Sequence, residues 1–203
     1  ACARVQLIVE QGELQRAIVL NRELLDSLRD RVGSSLVRGW AHINQAYLMY
    51  QVDSLEAARR ETSITQDVET QTGGMPDVSL RLYIMFAKLA LVDKNESAAR
   101  KAVDDLVTLA KRGGVMNAID WANAHRAQLM YRLSDWSAFD EWARSFQLPE
   151  QPLFFPYRLR ILLYVRYLIR QKAWEEGRRL LEERARSARE AGYVEYEMEL
   201  DIV

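Results

Sequence analysis

An all-α array of stacked helical hairpins, about five helix pairs on a repeat of ~40 residues, is what this sequence predicts. Three observations lead there. The tripeptide Leu-Met-Tyr occurs at 48–50 and again at 129–131, each time followed by two residues and a restart on a small polar residue. The restart residues Gly12, Asp53, Lys94, Ser134 and Lys172 follow one another at intervals of 41, 41, 40 and 38. Around each restart the same seats recur. Five residues before it stand Leu7, Leu48, Leu89, Leu129 and Tyr167, and seven before it stand Val5, Ala46, Ala87, Ala127 and Val165. A large apolar row beside a small one is what close-packed helices need, because the small side chains let two backbones approach and the large ones fill the groove.

The elements follow in order. The repeats span 1–33, 34–74, 75–114, 115–148 and 153–192, and a further helix is expected from 193. In each, a first helix ends at the restart, as in SLVRGWAHINQAYLMYQV, and a second begins just after it, as in SLEAARRETSITQDVETQ. Ser54 and Glu56 suit the exposed amides at that second start. Gly33, Gly73–Gly74, Gly113–Gly114 and Gly192 read as stops of the second helices. Proline falls between helices, at Pro76 and in QLPEQPLFFP with Pro149, Pro152 and Pro156, the one irregular loop expected. Trp136 and Trp174 share a seat with Leu14 and Leu55 and are expected in the core, with Trp142 packing on its own second helix. The stretch WEEGRRLLEERARSAREAG reads as a solvent-facing second helix, with Leu180 and Leu181 inward and the pairs Glu175–Arg179 and Glu182–Arg186 outward.

Bulk properties narrow the function. Of 203 residues 49% are hydrophobic and 28% charged, the balance of a folded chain rather than a disordered one. A net charge of −1 lacks the basic excess of a nucleic-acid-binding domain, so this chain is not expected to hold nucleic acid itself. The single cysteine, Cys2, excludes a disulfide framework and fits the expected cytoplasmic location. No run of eighteen apolar residues is present, so no membrane span is expected. Both ends stop in mid-pattern without a cap, and the chain is expected to be a piece of a longer protein.

Segments such as ARVQLIVEQGELQRA and AHRAQLMYRLSDWSAFDEWARS resemble degenerate tetratricopeptide repeats. More narrowly they resemble the sensor region of MalT-like, LuxR-family ATP-binding transcriptional regulators, whose repeats carry an Arg-Ala/Val-x-Leu run before the turn. Arg4-Val5-Gln6-Leu7 and Arg126-Ala127-Gln128-Leu129 match it. RLRILLYVRYLIRQKAWEEGRRLLEERARSAREAG has the layout of a late repeat of that family. The likeness covers essentially the whole chain. It implies a tetratricopeptide-like solenoid and a role in transcription regulation through signal sensing. An ATPase module would precede the repeats and a helix-turn-helix domain would follow them. ATP is therefore expected upstream and not here, where no glycine pair is followed by the lysine of a phosphate-binding loop.

No catalytic constellation is legible, and the chain is expected not to be an enzyme. His42 and His125 belong to no metal motif and read as helix-packing or groove-wall residues. Asp104–Asp105 lacks a second acidic motif and reads as a solvated face. Cys2 has no evident base partner. What remains is a binding surface. Six residues before the restarts stand Gln6, Tyr47, Lys88, Gln128 and Arg166, and two before stand Glu10, Gln51, Val92, Arg132 and Arg170. By the resemblance these rows face a concave groove, joined by Trp40 and Trp121 on the first helices. The candidate contacts are thus Trp40, Tyr47, Gln51, Lys88, Trp121, Gln128, Arg132, Arg166 and Arg170. The last three form a basic end fit for a carboxylate, a phosphate or an acidic peptide. The expected occupant is a small-molecule effector, or a protein or peptide if the chain is a plain interaction scaffold unconnected with transcription. Exposed repeat ends also predict self-association.

Overall fold

The computed structural model describes residues 2–29, 35–114, 116–148 and 158–192, and all regular structure there is helical. Gly33, the 149–157 stretch with its three prolines and the helix expected from 193 lie outside the described residues. The helices are α1 (Cys2–Glu10), α2 (Leu14–Leu28), α3 (Ser35–Gln51), α4 (Leu55–Thr72), α5 (Pro76–Val92), α6 (Glu96–Gly113), α7 (Met116–Arg132), α8 (Trp136–Ser145), α9 (Arg158–Arg170) and α10 (Trp174–Glu190). The chain divides into two compact units, Ala1–Gly113 with α1–α6 and Gly114–Val203 with α7–α10.

The restarts are one backbone motif made five times. Gly12, Asp53, Lys94, Ser134 and Lys172 all have positive φ, between 56° and 77°. At each, the residue's N–H bonds to the carbonyl three back, and the next N–H bonds to the carbonyl five back, as in Asp53 to Tyr50 and Ser54 to Met49. All ten bonds measure 2.8–3.2 Å. This is the Schellman ending of an α-helix, which satisfies carbonyls left open at the helix terminus. The residue after it already accepts the first bond of the second helix: Ala17 to Glu13, Ala58 to Ser54, Ala99 to Asn95, Phe139 to Asp135 and Gly177 to Ala173. Asn95 and Asp135 also cap with their side chains, accepting from Ala98 N–H and Ala138 N–H, whereas the Ser54 hydroxyl makes no such bond. Gly73, Gly74, Gly114 and Gly192 close the second helices with positive φ, and Pro76 opens α5 at its first turn, where no amide bond is lost.

Packing follows the rows. The seat seven before the restart is buried in all five repeats. So is the seat five after it, held by Ala17, Ala58, Ala99, Phe139 and Gly177. In the N-terminal unit α3 touches α1, α2, α4 and α5, while no second helix packs substantially on another. First helices therefore form a closed layer and second helices flank it. In the C-terminal unit α7, α8 and α9 meet pairwise and α10 lies on α9.

Three expectations are corrected. Leu48, Leu89 and Leu129 are buried, but Leu7 in the same row is 52% exposed, because no described helix precedes α1 to cover it. Trp174, expected in the core, is 57% exposed, and Trp136 is only half-buried, because this seat lies at the margin of the core in every repeat: Leu14 and Leu55 are half-buried there and Glu96 is exposed. On α10 it is Arg178 that bridges both Glu175 and Glu182, each at 2.9 Å, in place of the two pairs anticipated.

Candidate functional site

In the N-terminal unit, α3 and α5 lie side by side in equal register, so residues 41 apart become neighbours. Arg81 lies over the ring of Trp40, 4.9 Å from its centroid, and Lys88 lies 5.4 Å from the Tyr47 centroid and 4.9 Å from that of Tyr50. Gln51 Nε2 donates to Tyr47 Oη at 2.7 Å, across one turn of α3. Trp40, Tyr47, Gln51 and Lys88 thus share one face, as the row predicts. The ammonium of Lys88 between two ring faces is held by their negative quadrupoles.

The C-terminal unit repeats the scheme with arginines. Arg166 lies 5.2 Å from the centroid of Tyr131, and Arg170 lies 3.8 Å from that of Trp136. Arg170 Nε is 3.7 Å from Asp140 Oδ1, a buried oxygen that receives no hydrogen bond from a described residue. Arg160, one row further along α9, sits over Phe146 at 5.0 Å and bonds Asp120 at 3.0 Å. Arg132 is exposed and Gln128 half-buried. Trp121 does not join this group: its ring meets His125 edge-on at 4.8 Å along α7. Beneath the arginines the rings of Trp136, Tyr131, Phe139, Trp142, Phe146, Tyr164 and Tyr167 run in contact, at centroid distances of 5.1–6.0 Å. Burial within this run raises the Tyr164 phenol above its ordinary range.

Neither histidine meets a metal-like arrangement. His42 Nδ1 lies 2.8 Å from Glu61 Oε2 between α3 and α4, a buried packing pair. Among the described residues no cluster of three or more His, Cys, Asp or Glu is placed to hold a metal ion, and no helix is long and apolar enough to cross a membrane.

Sequence reasoning missed one feature, an open cleft of about 960 Å3 on the opposite side of the N-terminal unit, between α4 and α6 over the outer face of α5. Leu82, Tyr83 and Phe86 floor it, and Thr62, Ser63, Gln66 and Ala102 wall it. The ion pairs Arg59–Asp93 and Lys101–Asp105, both at 2.7 Å, flank it. The available signal was α5 itself, PDVSLRLYIMFAKLALV, which is apolar nearly all round and so has more apolar surface than one neighbouring helix can cover.

Compared with family models, with curated proteins and with solved structures, the chain has no match.

Proposed function

We propose that the chain is a tetratricopeptide-like repeat domain that binds an effector or a partner protein on its first-helix faces, as the sensor region of a MalT-like, LuxR-family transcriptional regulator. One observation carries the binding part: at the seats six and two before the restart the described side chains are half-buried or exposed, and all but Val92 carry hydrogen-bonding groups. Side chains that serve only packing are usually apolar and covered; these are polar, oriented by neighbouring rings and accessible. The regulator part rests on the resemblance of the Arg-Ala/Val-x-Leu runs. ATP and DNA would then be handled by modules flanking these repeats. Effector binding would bias the parent between a resting and an active state, which requires different affinities for the two.

The test is a thermal-shift screen of the chain against small molecules and peptides, repeated on Tyr47→Ala/Lys88→Ala and on Arg132→Ala/Arg166→Ala. Hits are expected to lose their shift in at least one double variant while the unliganded Tm stays within a few degrees. Hits that bind both variants as tightly as the parent would remove the first-helix faces as the site. The regulator context is checked by reading the gene on both sides: a phosphate-binding loop upstream and a helix-turn-helix downstream support it. Further repeats alone would leave an interaction scaffold.

A further inference from the structure

We infer that the open cleft between α4 and α6 is a docking trough for one amphipathic helix of a partner protein, about four turns long, laid along α5 with an uncharged apolar face inward. The trough lies on the side of the N-terminal unit opposite the first-helix face and does not rest on the reading given for that face.

Its shape comes first. On α5 it is lined by Ser79, Leu82, Tyr83, Phe86, Ala90 and Asp93, positions that share one face of that helix from end to end. On either side α4 lines it from Arg59 to Gly73 and α6 from Ala98 to Asp105. The cleft therefore runs along the helices. From residue 79 to residue 93 the floor covers 14 steps of helical rise, about 21 Å. Spread over that length, 960 Å3 is a mean section of about 45 Å2. Half the section of a helix 10–12 Å across is about 40–55 Å2. A helix seated to its midline fills such a trough. A compact ligand, which a pocket usually covers by about 70% or more, would lie open along one side.

The chemistry of the lining selects the guest. Its hydrogen-bonding groups are largely engaged already. The Thr62 and Thr70 hydroxyls donate to the carbonyls of Ala58 and Gln66, at 2.7 and 2.9 Å. Ser79 Oγ donates to Glu69, and Asn95 Oδ1 accepts from Ala98 N–H. An extended peptide laid here would find few partners for its own N–H and C=O groups, which are costly to bury unpaired. A helix brings those groups paired internally and asks only for apolar surface. Tyr83 and Phe86 supply it from the floor, both half-buried, with their rings edge to face at 6.2 Å. Charge then sets the inward face of the guest. Arg59 is bidentate on Asp93, and Lys101 bonds Asp105, so each base of the trough already has an acid. Between Arg59 and Glu69 the α4 wall presents only Thr62, Ser63 and Gln66. A guest charge pressed against that wall would lose water and gain no partner. The inward face is therefore uncharged, and the guest's charges stay on the side turned to solvent.

The probe is a fluorescein-labelled (Ala-Leu-Ser-Glu-Leu-Leu-Lys)2-Ala peptide, whose helix puts its leucines on one face and its charges on the other, followed by anisotropy with the intact chain. Saturable binding is expected. Ser63→Trp and Ala98→Trp, at exposed wall positions where a new ring occupies the trough, should each weaken it about tenfold or more. Phe86→Ala should weaken it about tenfold, the loss of an aromatic anchor. Gln66→Glu, which puts a charge on the neutral wall, should weaken it about threefold. Arg178→Gln on the outer face of α10 should leave it unchanged. Matching melting curves show that the variants are folded. Failure of the peptide to bind, or binding unaltered in both tryptophan variants, would overturn the proposal. Equal binding of (Ala-Leu-Pro-Glu-Leu-Leu-Lys)2-Ala, which keeps the leucines but breaks the helix, would overturn the helical guest. A loss in Tyr47→Ala/Lys88→Ala with Ser63→Trp unaffected would put the peptide on the first-helix face and overturn the placement. A concentration-dependent dimer in sedimentation that Ser63→Trp breaks would make the occupant a second copy and overturn the partner assignment.

Discussion

The two units share one backbone register and fill it with different chemistry. In the N-terminal unit the seat five after the restart is always alanine, at 17, 58 and 99, and the helices close on it with aliphatic neighbours. Most buried polar groups there find a partner, although Asn21 Oδ1 has none among the described residues. Asn21 donates to Ala41 O and Gln45 Oε1, both at 2.9 Å, His42 faces Glu61, and Glu69 accepts from Ser79 Oγ and from Met75 N–H, at 3.1 Å to its Oε2, above the start of α5. In the C-terminal unit the same seat holds Phe139 and Gly177, and a run of aromatic rings takes over the filling. There the buried Arg184 has Nε and Nη1 without acceptors among the described residues, and Glu183 stands 3.7 Å from its Nη2. Repeats held by backbone geometry tolerate different cores, because the turn and not the filling sets the register.

That contrast can be broken at its centre. Phe139→Ala would give the C-terminal unit the alanine of its neighbours without their closer helices. The cavity is expected to cost about 3–5 kcal/mol in urea unfolding. A loss under about 1 kcal/mol would mean that the aromatic run is not the core of this unit. The next largest effect has the opposite sign. Arg184 occupies the seat held by Leu24, Thr65, Leu106 and Phe146 in the other repeats. Arg184→Leu removes an unsatisfied buried cation and is expected to stabilise the chain by about 1–4 kcal/mol, with slower hydrogen exchange along α10. Destabilisation instead would show that the guanidinium has an acceptor in solution.

The smallest effect sharpens what the units have in common. Four restart residues, Asp53, Lys94, Ser134 and Lys172, hold left-handed backbone without being glycine. Left-handed φ costs an L-residue roughly 1–2 kcal/mol, and glycine returns part of that through its freer unfolded chain. Replacing each by glycine should therefore raise stability by roughly 0.5–1 kcal/mol, and Lys94→Gly with Lys172→Gly, one in each unit, should do so by similar amounts. Unequal gains would show that the turns are not equivalent.

How legible this was follows from where each property is encoded. The restarts were readable because a helix must end there, and the spacing of ends survives even when glycine does not: all five fell on left-handed residues. The buried rows were readable because a helix repeats its inward face. Leu7 and Arg184 were misread or passed over, since their exposure depends on a neighbouring helix that a one-dimensional row does not contain, and Trp174 because a row does not say how near its seat lies to the margin of the core. The mounting of Lys88 and Arg166 on rings was hidden for the same reason. The row placed them on a face, but only the contact between α3 and α5, or α7 and α9, puts a ring beneath them. The α4–α6 cleft arises from two helices failing to touch, which no residue announces.

A layer of touching first helices flanked by second helices that stand apart behaves, in mechanical terms, like a bimetal strip with one stiff face and one slack face. Curling the N-terminal unit about α5 leaves the tight alanine contacts of α3, such as Ala46, at the neutral line, and changes mainly the width of the α4–α6 cleft. At one end of that cleft the bidentate Arg59–Asp93 pair, with bonds of 2.9 and 2.7 Å, ties α4 to the C-terminal cap of α5. Any change of curvature in this unit would therefore be felt first in the width of that cleft and in the Arg59–Asp93 pair at its end.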